Sequence, residues 1–240
     1  MEDILRTRAS DRHADLMNHV YRSQSGIYDL TRKYYLLGRD QLIEALDPPP
    51  GGRVLEIGCG TARNLVQAAK VWPDAEFYGF DISSEMLKAA RKNLTQSGMT
   101  ERITLFHGDA ENPARAMPPT VRTFDRIFLS FCLSMIPDWQ GAIRQAAALL
   151  SPGGELHIVD FGQSERLPSP FRWMLQQWLA LFHVEPRKHL RRFLDELNAE
   201  AGTRSEFIPQ YRGYSWRFVV ESPATAPTDG SSIRTKVRSG

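Results

Sequence analysis

The sequence predicts an α/β protein built on a doubly wound, mostly parallel sheet of seven strands. Five short apolar runs are continuously hydrophobic rather than alternating, which is typical of parallel strands covered on both faces. The runs occupy residues 54–57, 77–80, 103–106, 124–129 and 156–159. Helical patterns at 64–71, 84–97 and 139–150 separate them. This strand–helix repetition indicates a doubly wound sheet, and two further strands are expected at 206–209 and 214–221.

The chain on either side of this core follows other patterns. Residues 1–46 are expected to be helical, because apolar residues recur three, four and seven positions apart among charged ones. We interpret them as a lid on the main domain, residues 47–221. The boundary is the Pro-Pro-Pro-Gly-Gly run that follows Asp47, which breaks the helix. Residues 222–240 have no periodicity and are predicted to be disordered.

Composition narrows the classes of function. The chain has 240 residues and a formal net charge of +2, so its overall electrostatic field does not favour a nucleic acid partner. Its two cysteines, Cys59 and Cys132, fit neither a zinc site nor a disulfide framework, and we expect no bound metal. The acidic N-terminus resembles no signal peptide, and no apolar run reaches about 18 residues. These features predict a reduced, cytoplasmic protein.

A glycine turn follows the first strand, in the order Glu56-Ile57-Gly58-Cys59-Gly60-Thr61. Glycines are needed where the backbone adopts positive φ or lets a ligand approach closely, and ligands bind at this end of such sheets. A dinucleotide fingerprint requires a third glycine, but Arg63 stands in its place. Glu56 would repel a pyrophosphate and attract a cation. The turn therefore favours a sulfonium-bearing amino acid over a dinucleotide.

Two further acidic positions follow the next two strands. Asp81, after the second strand, can accept hydrogen bonds from both hydroxyls of a ribose. Asp109, after the third, could accept from an adenine amino group, while the Ala110 N–H meets a ring nitrogen. A single Asp after a strand is more often a cap or turn residue. Such features on three successive strand ends, in this order, indicate a common pocket.

These residues resemble the class I S-adenosylmethionine-dependent methyltransferases over roughly residues 50–161. The resemblance implies a Rossmann-like fold, methyltransferase activity and S-adenosylmethionine as cofactor. The Ser-Pro-Gly-Gly run at 151–154 matches the turn that this family has before its fifth strand. The positions assigned to cofactor binding are Tyr28, Arg32, Glu56, Gly58, Cys59, Gly60, Thr61, Asp81, Ile82, Met86, Asp109, Ala110, Ser130 and Phe131.

The lid carries the most distinctive run of the chain, residues 27–40, rich in Tyr and Leu. It suits either core packing with a solvated Arg-Lys face, or a site in which Tyr28 closes over the cofactor and Tyr34 faces the acceptor. Tyrosine rings stabilise a nearby cation by about 0.5–2 kcal/mol, which suits an amine becoming quaternary.

With the core behind it, this lid resembles the bacterial betaine-lipid N-methyltransferases. That resemblance implies trimethylation of diacylglyceryl-homoserine to diacylglyceryl-trimethylhomoserine, with an upstream enzyme that forms the homoserine lipid. A similar lid occurs in quinone-type C-methyltransferases and phospholipid N-methyltransferases. Phosphatidylethanolamine N-methylation and quinone-type C- or O-methylation therefore remain open as alternatives.

Residues 166–200 form a basic and aromatic segment. Between Arg166 and Arg192 there are six cationic residues and one acid, together with Phe171, Trp173 and Met174. Such a segment predicts either an amphipathic helix in an anionic membrane interface or a helix that packs over the substrate. The first alternative implies a lipid substrate and peripheral attachment to the inner face of the membrane. His183, within this segment, is a candidate base.

Overall fold

A seven-stranded sheet forms the centre of the molecule in a computed structural model that describes residues 36–117, 120–180 and 184–224. The strands lie in the order β3-β2-β1-β4-β5-β7-β6, and β7 runs antiparallel to both of its neighbours. The doubly wound, mostly parallel sheet predicted from the sequence is confirmed. The strands are β1 (Arg53–Ile57), β2 (Glu76–Asp81), β3 (Ile103–His107), β4 (Phe124–Ser130), β5 (Leu150–Phe161), β6 (Arg204–Gln210) and β7 (Ser215–Glu221).

Helices cover both faces of the sheet, and their described core residues fall into two apolar clusters. Alternate residues of one strand enter opposite clusters: Val54 joins one, while Leu55 and Ile57 join the other. This double coverage is why the strands read as continuously apolar. The helices are α1 (Arg39–Glu44), α2 (Arg63–Val71), α3 (Ser84–Ser97), α4 (Pro113–Ala116), α5 (Trp139–Ala148), α6 (Ser169–Ala180) and α7 (Leu190–Ala201).

The basic segment contributes two helices to the described structure. α6 is described from Ser169 to Ala180. α7 begins at Leu190 and runs to Ala201. Pro186 precedes it, and the Arg187 side chain binds backbone carbonyls of another loop. The residues just before α7 therefore form a connection that is held by hydrogen bonds from the Arg187 side chain.

The fifth strand is longer than predicted and contains the Ser-Pro-Gly-Gly run as an irregularity. Strand pairing starts with Phe124 opposite Leu150 and resumes with Arg126 opposite Glu155. The predicted turn is thus a bulge within β5, where Gly153 has a φ of +73°. At its other end β5 runs on to Phe161, so Asp160 belongs to the strand.

The described end of the predicted lid packs on the core. Leu42 and Ile43 of α1 are buried, and the Trp72 indole donates to the Ile43 carbonyl at 2.9 Å. The Arg126 guanidinium donates to the carbonyl of Asp47 at 2.9 Å, which holds the start of the predicted hinge in place. The remainder of the lid, residues 1–35, lies outside the described residues. The division at 46 and at 221 stays a prediction.

Within the described ranges, no helix is both long and apolar enough to cross a membrane. Nor does this part of the chain bring three His, Cys, Asp or Glu side chains together in a metal-binding group.

Candidate active site

The glycine turn lies at the carboxyl end of β1, between the strand and α2. Gly58 and Gly60 have φ angles of +69° and +52°, which glycine adopts without strain. A Cβ on Gly58 would lie 2.9 Å from the Cys132 Cβ, so no side chain fits there. A Cβ on Gly60 would have no atom within 4 Å. The backbone of Gly60 therefore borders open space at the end of the sheet.

Asp81 fixes this turn from the end of β2. Its Oδ2 accepts the Gly60 N–H at 2.8 Å, and its Oδ1 accepts the Ser83 N–H at 2.8 Å. The Ser83 hydroxyl in turn accepts the Met86 N–H at 3.2 Å and caps α3. A carboxylate oxygen accepts more than one hydrogen bond, so these contacts are compatible with the expected role toward ribose hydroxyls.

A cavity, which we call the donor cavity, opens at the carboxyl ends of β1 to β4. Eight of the residues predicted for cofactor binding line it: Gly58, Gly60, Asp81, Ile82, Asp109, Ala110, Ser130 and Phe131. The structure thus brings together positions separated by up to three strand–helix units. The sequence reasoning missed the rest of the wall as cofactor contacts, namely Phe80, Gly108, Cys132, Met135, Ile136 and Pro137.

Four other predicted cofactor residues lie beside the donor cavity rather than in its wall. Glu56 and Cys59 are buried, the Thr61 carbonyl accepts a hydrogen bond from the Asn93 amide at 3.0 Å, and Met86 lies in the first turn of α3. Tyr28, Arg32, Tyr34 and His183 lie outside the described residues. Their predicted roles toward cofactor and acceptor stay predictions.

Glu56 is a buried carboxylate next to the glycine turn. Burial raises its pKa to about 8, against the opposing effects of the Asn64 hydrogen bond and the Arg39 charge. The Asn64 amide donates to Oε1 at 2.8 Å, while Oε2 is buried without a hydrogen-bond partner among the described residues. A cation bound close by would stabilise the charged form of Glu56. The side chain therefore suits a cationic ligand.

The loop after β4 closes one side of the donor cavity and is held by two charged residues. Asp160 accepts the N–H groups of Ser134 at 2.9 Å and Phe161 at 2.7 Å. Burial raises the pKa of Asp160, and the Arg187 charge opposes this rise. Arg187 donates to the carbonyls of Leu133 at 3.3 Å and Ile136 at 2.7 Å. These contacts fix residues 133–136 from both sides.

A second cavity of about 480 Å³ lies beyond this loop, and we call it the acceptor cavity. Trp139 lines it, while the neighbouring stretch from Met135 to Pro137 lines the donor cavity, so the two cavities share one short loop. Its apolar walls come mainly from Trp139, Leu175, Leu179 and Val184, and its polar walls from Gln163, Glu185, Arg187, Lys188 and His189. The cavity combines an apolar surface with a cationic rim.

Comparison with known proteins supports the interpretation of the donor cavity. The sequence profile described as "Methyltransferase domain" matches residues 54–154. A demethylmenaquinone methyltransferase from Listeria monocytogenes serotype 4a is 28% identical over 153 residues. The match covers 61% of this chain and 62% of that protein, so this chain spans about three fifths of its relative.

Two solved structures share the fold at low sequence identity. An S-adenosylmethionine-dependent methyltransferase from Aquifex aeolicus is 18% identical with a TM-score of 0.60, covering 82% of this chain and 97% of that one. A Haemonchus contortus phosphoethanolamine N-methyltransferase, solved with phosphomonomethylethanolamine and S-adenosylhomocysteine, is 16% identical with a TM-score of 0.66. That match covers 89% of this chain and 60% of the other. Residues 54–154 therefore match a methyltransferase domain, and the described residues share the fold of S-adenosylmethionine-dependent methyltransferases.

Proposed function

We propose that the protein transfers the methyl group of S-adenosylmethionine to a quinone-type acceptor with an apolar tail, bound in the acceptor cavity. The observation that carries the proposal is the lining of that cavity. Apolar side chains from α5 and α6 line this cavity together with the cationic side chains of Arg187 and Lys188, and the acid Glu185 lies 3.5 Å from the Arg187 guanidinium. This cavity adjoins the donor cavity through the loop that follows β4.

The donor cavity fits the proposed cofactor in three respects. Open space over Gly60 lets a ligand contact the backbone. The Asp81 carboxylate stands at the ribose position that the fold provides. Oε2 of Glu56 and the Ser130 hydroxyl are buried without a hydrogen-bond partner among the described residues. Both can accept hydrogen bonds from the amino acid end of the cofactor. The sulfonium supplies an activated methyl, so alignment and desolvation are the main tasks left to these residues.

The acceptor chemistry explains why a cationic rim is useful. When a ring hydroxyl of a hydroquinone loses its proton, the adjacent ring carbon becomes nucleophilic. That carbon forms the new bond to the methyl group, the sulfur–methyl bond breaks with its electron pair going to sulfur, and the ring carbon then loses a proton. Arg187 and Lys188 would stabilise the negative oxygen, and His189, which also lines the cavity, could accept a proton.

The relatives support this acceptor class, since the curated relative described above is named for demethylmenaquinone. Methylation of a lipid amine, as in diacylglyceryl-homoserine or phosphatidylethanolamine, is the second candidate. The observation that favours it is the same cationic rim, which would bind the carboxylate of a homoserine headgroup or a phosphate. It stands second because Arg187 and Lys188 would repel an ammonium group before methylation. The homoserine lipid would also require an upstream enzyme.

The test presents three acceptors to the full-length protein in identical mixed micelles. They are a short-chain demethylmenaquinol kept reduced, diacylglyceryl-homoserine and phosphatidylethanolamine, each with S-adenosylmethionine labelled in its methyl group. Mass spectrometry should show one labelled methyl on the quinol. Stepwise labelling of either amine, with an unlabelled quinol, would replace the first candidate by the second. If neither the quinol nor an amine lipid is labelled, both candidate functions are overturned.

A matched pair of variants links the activity to the acceptor cavity. Lys188→Gln removes a charge that lines the cavity, while Lys92→Gln removes one from the exposed side of α3. We expect Lys188→Gln to raise the KM for the quinol severalfold and Lys92→Gln to leave it unchanged. Equal KM values for both variants would remove Lys188 from the acceptor site.

A further inference from the structure

The first half of α6 exposes three large apolar side chains. Phe171, Trp173 and Met174 are 61%, 65% and 58% exposed. Further along the same helix, Leu175 and Leu179 line the acceptor cavity, and Leu179 is only 3% exposed. Trp173 and Met174 therefore project into solvent from the part of the helix that faces away from the cavity, while Phe171 lies one turn before Leu175 and is exposed at the start of the helix. Large exposed apolar patches usually mark interaction sites.

Three arginines accompany these exposed apolar residues, and one of them comes from a distant part of the sequence. Arg166 precedes α6, and Arg172 lies within it. The backbone N–H of Arg166 donates to the carbonyl of Arg212 at 3.2 Å, which brings the exposed β6–β7 connection to the start of the helix. The neighbouring acid, Glu165, accepts the Trp216 indole N–H at 3.0 Å. The surface therefore combines positive charge with exposed aromatic rings.

We propose that this surface docks on an anionic lipid bilayer. We define it as the α6 surface, consisting of Arg166, Phe171, Arg172, Trp173, Met174 and Arg212. The combination of Trp, Phe and Met with arginines matches what an anionic interface attracts: rings and thioether enter the headgroup region while guanidinium groups pair with phosphates. Charge complementarity selects lipid over a second copy of this chain, because two such surfaces would bring like charges together.

Docking through α6 would also determine where the acceptor cavity lies relative to the membrane. Because the same helix lines the acceptor cavity, binding at the bilayer would place that cavity beside the membrane, where an apolar acceptor resides. This consequence rests on the proposed function, whereas the docking itself does not. The two can therefore fail separately.

Sedimentation with vesicles tests the docking without cofactor or acceptor. The full-length protein is mixed with vesicles of equimolar phosphatidylglycerol and phosphatidylcholine, or of phosphatidylcholine alone. We expect it to pellet with the anionic vesicles and to be released by salt. Trp173→Gln combined with Met174→Gln should reduce the pelleted fraction several-fold, and Arg166→Gln should weaken binding about fivefold.

The matched control is Val71→Gln, which removes an exposed apolar side chain (45% exposed) from the end of α2. Thermal melting confirms that each variant is folded, and turnover with a water-soluble short-chain quinol shows that the double variant keeps its chemistry. Wild-type protein that stays in the supernatant with anionic vesicles would overturn the proposal. A double variant that pellets like wild type would also overturn it. The same holds if vesicle binding is absent and light scattering shows a dimer that the double variant abolishes.

Discussion

The Asp81 carboxylate accepts the backbone N–H of Gly60 at 2.8 Å and so joins the end of β2 to the glycine turn after β1. The sequence presents Asp81 as a ligand for ribose, with a cap or turn residue as the general alternative. In the fold it also holds the turn in which Gly60 borders the donor cavity. Ligand binding and loop geometry therefore depend on one side chain.

Asp81→Ala should weaken the binding of S-adenosylhomocysteine by about 10-fold or more, because hydrogen bonds to a charged group are worth about 1.5–3 kcal/mol. It should also lower stability, since the N–H groups of Gly60 and Ser83 lose their acceptor. Equilibrium dialysis and urea unfolding measure the two effects. Asp125→Ala is the matched control: Asp125 accepts the Arg53 N–H at 2.8 Å at the opposite ends of the strands. It should lose stability and keep its affinity, and equal affinity losses in the two variants would contradict the assignment.

Alanine at the two turn glycines should have different effects. Gly58→Ala should lose more stability than Gly60→Ala, because its new Cβ would lie 2.9 Å from the Cys132 Cβ. Gly60→Ala should cost about 1–2 kcal/mol of backbone strain and weaken cofactor binding as well. Gly98→Ala, with a φ of +70° and open space around its Cβ, provides the same strain away from the site. Denaturant unfolding and cofactor-induced thermal shifts report both quantities, and a full cofactor shift in Gly60→Ala would show that this glycine does not face the ligand.

The raised pKa of Glu56 predicts a pH-dependent stability. Its ordinary value is 4.5 and its folded value about 8, so the folded protein binds this proton more tightly than the unfolded chain. Raising the pH from 4.5 towards 8 therefore costs stability, and the cost is complete above pH 8. Glu56→Gln avoids that cost. It should melt like wild type near pH 5 and gain about 2–4 kcal/mol at pH 9, while binding the cationic cofactor more weakly. A stability difference that is independent of pH would contradict the shift.

Arg187→Met should impair acceptor use more than cofactor binding. Arg187 both lines the acceptor cavity and donates to the carbonyls of Leu133 and Ile136. Its loss should lower kcat/KM for the quinol about 10-fold, which corresponds to about 1.4 kcal/mol. The cofactor Kd should rise less, because the Asp160 carboxylate still accepts the Ser134 N–H and holds the loop from its other side. The control is Arg192→Met, because Arg192 is an exposed residue of α7 paired with Glu196 at 3.0 Å. Steady-state kinetics would contradict this role if both variants behaved alike.

Most of the fold could be predicted from the sequence, because strands that are covered by helices on both faces of the sheet have continuous runs of apolar residues. All seven strands were expected, with ends that shift by at most a few residues except in β5. There, backbone pairing continues through Ser-Pro-Gly-Gly as a bulge, which no side-chain pattern reveals. The sequence pattern also does not locate the start of α7, because the Arg187 side chain binds carbonyls more than fifty residues earlier in the chain.

The residues of the candidate site likewise fall into those that the sequence predicts and those that it does not. Residues at strand ends, such as Asp81 and Asp109, could be predicted because parallel strands end at one edge of a sheet. The walls contributed by residues 135–137 could not, since the position of their loop depends on contacts with Asp160 and Arg187, which are distant in sequence. The acceptor cavity depends on helix packing, and the sequence indicated only that a helix of residues 166–200 could pack over the substrate.

The structure of the complex with S-adenosylhomocysteine tests the central claim most directly. Crystals of the full-length protein grown with this product should show its ribose at the Asp81 carboxylate, its adenine beside Asp109 and the Ala110 N–H, and its aminoacyl end towards Gly60. This pose in the donor cavity is the expected result. Density for the product in the acceptor cavity, or a pose in which it does not contact Asp81, would contradict it.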